Sequence, residues 1–171
     1  MISDKTAMAI NNQINAEMYS AYLYLGMSGY CAEAGLKGGA NWFYVQAKEE
    51  MVHAEKLYNY VQAQGQRVEL LTIDAPPSDF KSVLDCFERA LEHEKKVTAL
   101  INDLVALAVE QKDRATEIYL DWFVAEQVEE EESAKDVVDR LTLAGAQGPG
   151  LFMVDTELAA RVFTPPATAN A

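Results

Sequence analysis

Basic charge is scarce in this sequence. Its 171 residues carry 14 Lys plus Arg against 27 Asp plus Glu, a formal charge of -13. The longest basic run is Lys95-Lys96, so there is no patch to meet a phosphate backbone. Nucleic acid is therefore excluded as a partner, and cations are the natural guests. Only 9 glycines and 5 prolines are present, which excludes collagen-like and low-complexity chains. No run approaches the ~18 apolar residues of a membrane span. Met1-Ile2-Ser3-Asp4-Lys5 also lacks the basic and apolar regions of a secretory signal. The sequence thus predicts a cytoplasmic protein with no membrane partner. The two cysteines, Cys31 and Cys86, form no C-x-x-C, which excludes rubredoxin-type and zinc-ribbon sites and reads as free thiols in a reducing compartment.

What remains is helical. Turn residues cluster at Gly35 to Gly39, Gly65 to Asp79 with Pro76-Pro77, Gln111 to Arg114, and Gly145 to Gly150. Between them lie four segments rich in Ala, Glu, Leu, Met and Gln, which favour helix over strand. Ser3, Ser82 with Asp85, and Asp113 are start signals. The reading is one all-α domain over residues 1–171, with helices near 4–33, 39–64, 82–111 and 114–144, a short fifth helix near 150–161, and a tail over 162–171. Short links after the first and third helices force antiparallel neighbours. The residues from Gly65 to Lys81 can span ~40 Å at ~3.3 Å per residue, so they form a long crossover running the length of a four-helix bundle. Val68, Leu70 and Ile73 are expected to pin it to the surface. The short helix cannot stand alone, and Leu151, Val154 and Leu158 are expected to meet their copies in an oligomer.

Each long segment carries an apolar stripe at spacings of three and four, interrupted near its middle by a polar residue. The first runs Ile10, Ile14, Glu17, Ala21, Tyr24, and the second Phe43, Ala47, Glu50, Ala54, Leu57, Val61 with His53 beside it. The third runs Leu84, Phe87, Leu91, Glu94, Ile101, Leu104, and the fourth Leu120, Phe123, Gln127, Glu130, Ala134, Val137, Leu141. A buried carboxylate costs several kcal/mol unless it is paired, protonated or bound to metal. One inward Glu is commonplace and a single Glu-x-x-His arises by chance. Four carboxylates at matching depth, with an imidazole and an amide, are together satisfied by metal. They balance two divalent cations, with Glu50 or Glu130 as a possible bridge, and an oxygen-rich set with one nitrogen suits Fe(II) or Mn(II) better than Zn.

Asn11-Asn12-Gln13-Ile14-Asn15-Ala16-Glu17, Glu49-Glu50-Met51-Val52-His53-Ala54-Glu55, Glu92-His93-Glu94 and Ala125-Glu126-Gln127-Val128-Glu129-Glu130-Glu131 closely resemble the prokaryotic non-haem ferritins, over nearly the whole chain from Ser3 to Pro166. The resemblance implies an iron store with an intrasubunit ferroxidase centre. There Glu17 and His53 hold one iron, Glu94 and Glu130 the second, Glu50 bridges them, and Gln127 lies beside the pair. It implies a third, looser iron site from Glu49, Glu126 and Glu129 with Glu130 shared. Tyr24 matches a tyrosine beside the centre that can donate an electron, and Trp122 a nearby aromatic. The implied assembly is a hollow homo-oligomer of 24 subunits that takes Fe(II), oxidises it with O2 or H2O2 and deposits Fe(III) mineral inside.

Two alternatives stand beside this reading. Met51 falls where the haem-bearing bacterioferritins place a haem-ligating methionine, but an interface Met is the simpler account and no haem is expected. Their second Glu-x-x-His is replaced here by Gln127 and Glu130. The other alternative, from a different class, is a non-metal helical interaction module with an acidic surface.

Overall fold

The computed structural model describes residues 1–145 and 147–165. Ala146 and the end of the expected tail, residues 166–171, lie outside them. Among the described residues there are five helices and no strand: α1 (Asp4–Glu33), α2 (Lys37–Ala63), α3 (Val83–Glu110), α4 (Arg114–Ala144) and α5 (Pro149–Leu158). Three helices start on a side chain that takes up an otherwise orphaned N–H: Ser3 accepts from Thr6 N, Ser82 from Asp85 N and Asp113 from Thr116 N. After α1 the chain turns at Gly35, whose φ is 79°, and Leu36 N reaches back to Cys31 O. α2 begins two residues before the position read from the glycines, at Lys37, with no side-chain cap. α5 ends at Leu158, short of the expected 161.

α1 packs along α2, α3 along α4, and α1 also meets α3. The crossover traces the length of α1. Asn11 at one end donates to Arg67 O and accepts from Glu69 N, Pro76 and Pro77 lie over Gly26, and Phe80 meets Tyr30 edge-on at 5.3 Å. Of the three residues expected to pin this strap, only Val68 is packed, whereas Leu70 and Ile73 are exposed. The strap is held by the Asn11 amide and by Phe80, polar and terminal contacts that an apolar count overlooks.

The bundle core is split in two. One cluster gathers the end of α1, the starts of α2 and α3 and the end of α4 around Tyr24, Met27, Phe43, Phe87 and Leu141. The other gathers the opposite ends around Ile10, Ile14, Leu57, Ile101 and Leu120. Between the two lies a layer of buried polar residues: Glu17, Glu50, His53, Glu94, Gln127 and Glu130. Burying a large apolar side chain contributes ~1.5–3 kcal/mol, so the flanking clusters offset a layer that by itself opposes folding. On α3 the inward row is Val83, Cys86, Phe87, Ala90, Glu94, Val97, Ile101 and Leu104. Leu84 and Leu91, placed inward by the sequence reading, sit half-buried at its edge.

α5 docks on α2 and α4 of its own chain. A Cβ on Gly38 would fall 1.6 Å from Asp155 O, so only glycine permits this approach, and Gly39 N donates to Asp155 Oδ1 at 2.9 Å. Val154 and Leu158 are buried by this docking and Leu151 packs against the same cluster. These three were expected to face other subunits. The apolar residues α5 leaves exposed are instead Phe152 and Met153.

Candidate metal centre

Near mid-length of each long helix, one turn of the inward stripe is given to a carboxylate: Glu17 on α1, Glu50 on α2, Glu94 on α3 and Glu130 on α4. His53 follows Glu50 by one turn, so the two share a face. The structure brings Glu17, Glu50 and His53 together with ligand atoms all within 4.8 Å of one another. A second group within the same limit is His53, Glu126 and Glu130. His53 thus stands between two carboxylates, Nδ1 lying 3.4 Å from Glu50 and Nε2 3.8 Å from Glu126.

Among the described residues, the two buried side-chain atoms without a hydrogen-bond partner are Glu17 Oε2 and His53 Nε2. An unpartnered buried polar atom costs ~1–3 kcal/mol, so two in one layer indicate a guest that neither residue supplies. Carboxylate oxygens and an imidazole nitrogen are donors fit for Fe(II).

Glu94 and Glu130 are not drawn into one such group with Glu50. Tyr24 OH donates to Glu94 Oε1, and Gln127 Nε2 donates to Glu94 Oε2 at 3.2 Å. Gln46 Nε2 donates to Glu130 Oε2. These neutral donors satisfy each carboxylate where it stands. Of the expected third-site residues, Glu126 faces His53, Glu129 is exposed, and Glu49 is ion-paired with Arg161. The three line one cavity of about 550 Å³ but do not converge as a ligand group.

The electrostatics follow from burial. It pushes Glu50 well above the ordinary carboxylate range, reinforced by Glu94 and Glu17 and opposed by His53. Glu130 is pushed up to about 8 by burial, with Glu94 adding to it. Burial also raises Glu94, against the donors Tyr24 and Gln127. Burial alone would lower His53, yet Glu126 and Glu50 outweigh it and hold the imidazole well above its ordinary value. The layer therefore gathers negative charge that only a proton or a cation relieves. The other histidine, His93, keeps out of it: Ser20 Oγ lies 2.7 Å from His93 Nε2, and burial with the nearby Lys96 lowers it to about 4.

A family model described as a ferritin-like domain matches residues 7–144. The bacterial non-heme ferritin of Campylobacter jejuni is 42% identical over 155 residues, covering 91% of this chain and 93% of that protein. The bacterial non-heme ferritin of Staphylococcus aureus is 39% identical over 163 residues, covering 95% and 98%. The chain belongs to the ferritin family. Among solved structures, an open pore ferritin from the hyperthermophilic archaeon Archaeoglobus fulgidus is 49% identical, with a TM-score of 0.93 over 95% of this chain and 100% of that one. Membership of the ferritins, with a carboxylate and histidine layer in place, sets aside the acidic interaction module, and relatives named non-heme do not favour the haem-bearing alternative. No helix among the described residues of this ferritin is long and apolar enough to cross a membrane.

Sequence reasoning missed three residues that shape the ferritin's polar layer. Gln46, buried one turn before Glu50, reaches both Glu130 and, at 3.5 Å, Glu50 Oε1. Gln13, one turn before Glu17, donates to Glu17 Oε1 at 2.9 Å. Both amides stand at i−4 from a stripe carboxylate, a spacing that could have flagged them. Arg161 comes from beyond α5, and no local pattern announces it. Tyr24 is fully buried beside the layer and stacks on Phe43 at 6.0 Å, while Trp122 meets His53 edge-on at 5.5 Å.

Proposed function

We propose that the polar layer is a ferroxidase centre that binds two Fe(II) as substrate and oxidises them. The observation carrying this reading is the buried group of Glu17, Glu50 and His53 with two unpartnered ligand atoms among them. Glu17 and His53 hold one iron, Glu94 and Glu130 the other, and Glu50 bridges. Gln127 lies beside the pair and, with Gln46, orients the carboxylates. Four carboxylates cancel the charge of two divalent ions. Because they favour Fe(III) over Fe(II), they lower the iron potential and drive oxidation.

Two Fe(II) release one electron each. O2 accepts both, with two protons, to give H2O2, whereas H2O2 as acceptor takes two electrons and two protons to give two waters. Tyr24, hydrogen-bonded to Glu94, stands where it can lend a further electron. Glu49, Glu126 and Glu129, with Glu130 shared, form a third, looser site on the path by which Fe(III) leaves. The insoluble product must be kept from bulk solution, so the ferritin closes into a hollow shell of 24 copies in the cytoplasm. A large apolar groove lined by Tyr22, Leu25, Tyr44 and Met51 supports burial against other copies.

Anaerobic Fe(II) titration followed by an O2 pulse tests the proposal. Two irons per chain are expected to oxidise in the fast phase, yielding one O2 consumed per pair. Saturation at zero or one iron per chain would refute it.

A further inference from the structure

Trp42, Gln46 and Glu49 follow one another by a turn along α2, and a single guanidinium covers all three. Arg161 Nη1 donates to Gln46 Oε1 at 2.8 Å and to Trp42 O at 3.4 Å, Nη2 donates to Glu49 Oε2 at 2.6 Å, and the group lies 4.4 Å from the Trp42 ring centroid. Its backbone is fixed too, because Asn41 Nδ2 donates to Arg161 O at 2.9 Å. Arg161 shares its cavity with Glu49, Glu126 and Glu129. Three carboxylates less one guanidinium leave two negative charges there, the charge of one Fe(II).

We propose that Arg161 is a tethered stand-in cation for the third iron site, a positioning residue that holds the Glu49 carboxylate and yields it to an arriving metal. This rests on the third-site reading of Glu49, Glu126 and Glu129. The fork geometry supplies the exchange. Nη2 releases Glu49 while Nη1 stays on Gln46 Oε1 and the plane stays on Trp42, so the guanidinium remains at hand and returns when the iron moves on. The pair is suited to this because its side chains are still 22% and 18% exposed. A pair that reaches solvent is weak enough for a divalent ion to displace. The same contact sets the Gln46 amide. With Oε1 facing Arg161, Nε2 must face Glu130 and Glu50, so the C-terminal segment reaches the buried layer through one side chain.

Calorimetric titration of the assembled, chelator-treated protein with Zn(II), which is redox-silent, tests this. The first two equivalents per chain report the buried layer and the third reports the outer carboxylates. Arg161→Gln is expected to tighten the third equivalent about tenfold, about 1.4 kcal/mol, with Arg161→Lys in between. An arginine whose hold on Glu49 does not compete with the metal would leave the third equivalent near its wild-type affinity. A third equivalent of unchanged or weaker affinity overturns the inference, as does the absence of a third equivalent in both proteins. A chain that takes up no Zn(II) refutes the ferroxidase reading along with it. A second measurement does not depend on the folding of Arg161→Gln. In Trp122→Phe, Trp42 is the one remaining indole, since the sequence has two tryptophans. Its emission should change at the third equivalent as the guanidinium stacked on the ring gives up Glu49 and its charge is left unpaired beside the indole, and constant emission there also overturns the proposal.

Discussion

Glu50→Gln separates a group kept for metal from one kept for structure. Glu50 is buried between Gln46, whose Nε2 lies 3.5 Å from Oε1, and His53, whose Nδ1 lies 3.4 Å from Oε2. A glutamine of the same shape can turn its amide oxygen to His53 Nδ1 and give up only the 3.5 Å contact with Gln46, so packing and part of the hydrogen bonding survive. What disappears is a buried charge that burial, Glu94 and Glu17 all oppose. The folded chain holds the Glu50 proton more tightly than the unfolded chain does. Wild-type stability therefore falls as pH climbs past the ordinary carboxylate value toward the raised one. At pH 5 the carboxyl is already neutral in the fold, and Glu50→Gln should change little. At pH 8 relief of the charge is expected to stabilise chelator-treated protein by about 2 kcal/mol. For a chain of this size that is about 4–8 °C in Tm. Circular dichroism melts at the two pH values, with the oligomeric state checked by light scattering, give the answer. A variant that melts lower than wild type at pH 8, or gains equally at both pH values, would show that Glu50 is a structural hydrogen-bonding residue and refute the reasoning.

The pH dependence extends to the whole layer. With Glu130 pushed up to about 8 and His53 also raised, metal must displace protons at low pH, so Zn(II) should raise Tm more at pH 8 than at pH 5.5 in paired melts. Replacing Glu126 and Glu129 together by Gln should leave the first fast oxidation largely intact and change the iron-to-O2 ratio of later turnovers. Oxygen-electrode traces would show a misassignment if the fast phase vanished as completely as in His53→Ala. Gly38→Ala drives a methyl into Asp155 O and should lift α5 at a cost of about 1–3 kcal/mol. Far-UV dichroism should stay nearly unchanged while light scattering reports a weaker shell. Truncation after Gly148 should give the same result.

The four long helices were legible because their cause is local. Stripe spacing, the caps at Ser3, Ser82 and Asp113, and scarce breakers act within a few residues, and the split core follows from placing one carboxylate on each stripe. The buried polar layer was legible for the same reason, since depth along a helix is a matter of counting. What was not legible depends on contacts between distant parts of the chain. The fate of Val154 and Leu158 is decided by Gly38, 116 residues before Val154, whose missing side chain lets α5 lie on its own bundle. The strap is pinned by Asn11, a polar residue in a helix, where apolar residues in the loop drew attention. Arg161 occupies Glu49 from a segment whose local pattern shows nothing of it. Leu84 and Leu91 were misplaced because period counting fixes a face only to within a residue, and Val83, Cys86 and Ala90 hold the inner edge instead.

Crystals of the shell soaked with Fe(II) under anaerobic conditions, with anomalous differences collected at the iron edge, test the central claim most directly. The account predicts two peaks per chain inside the bundle, one within bonding reach of Glu17 and His53, the other of Glu94 and Glu130, with Glu50 between them. No peak in the polar layer, or peaks confined to the outer cavity beside Glu126 and Glu129, would contradict it.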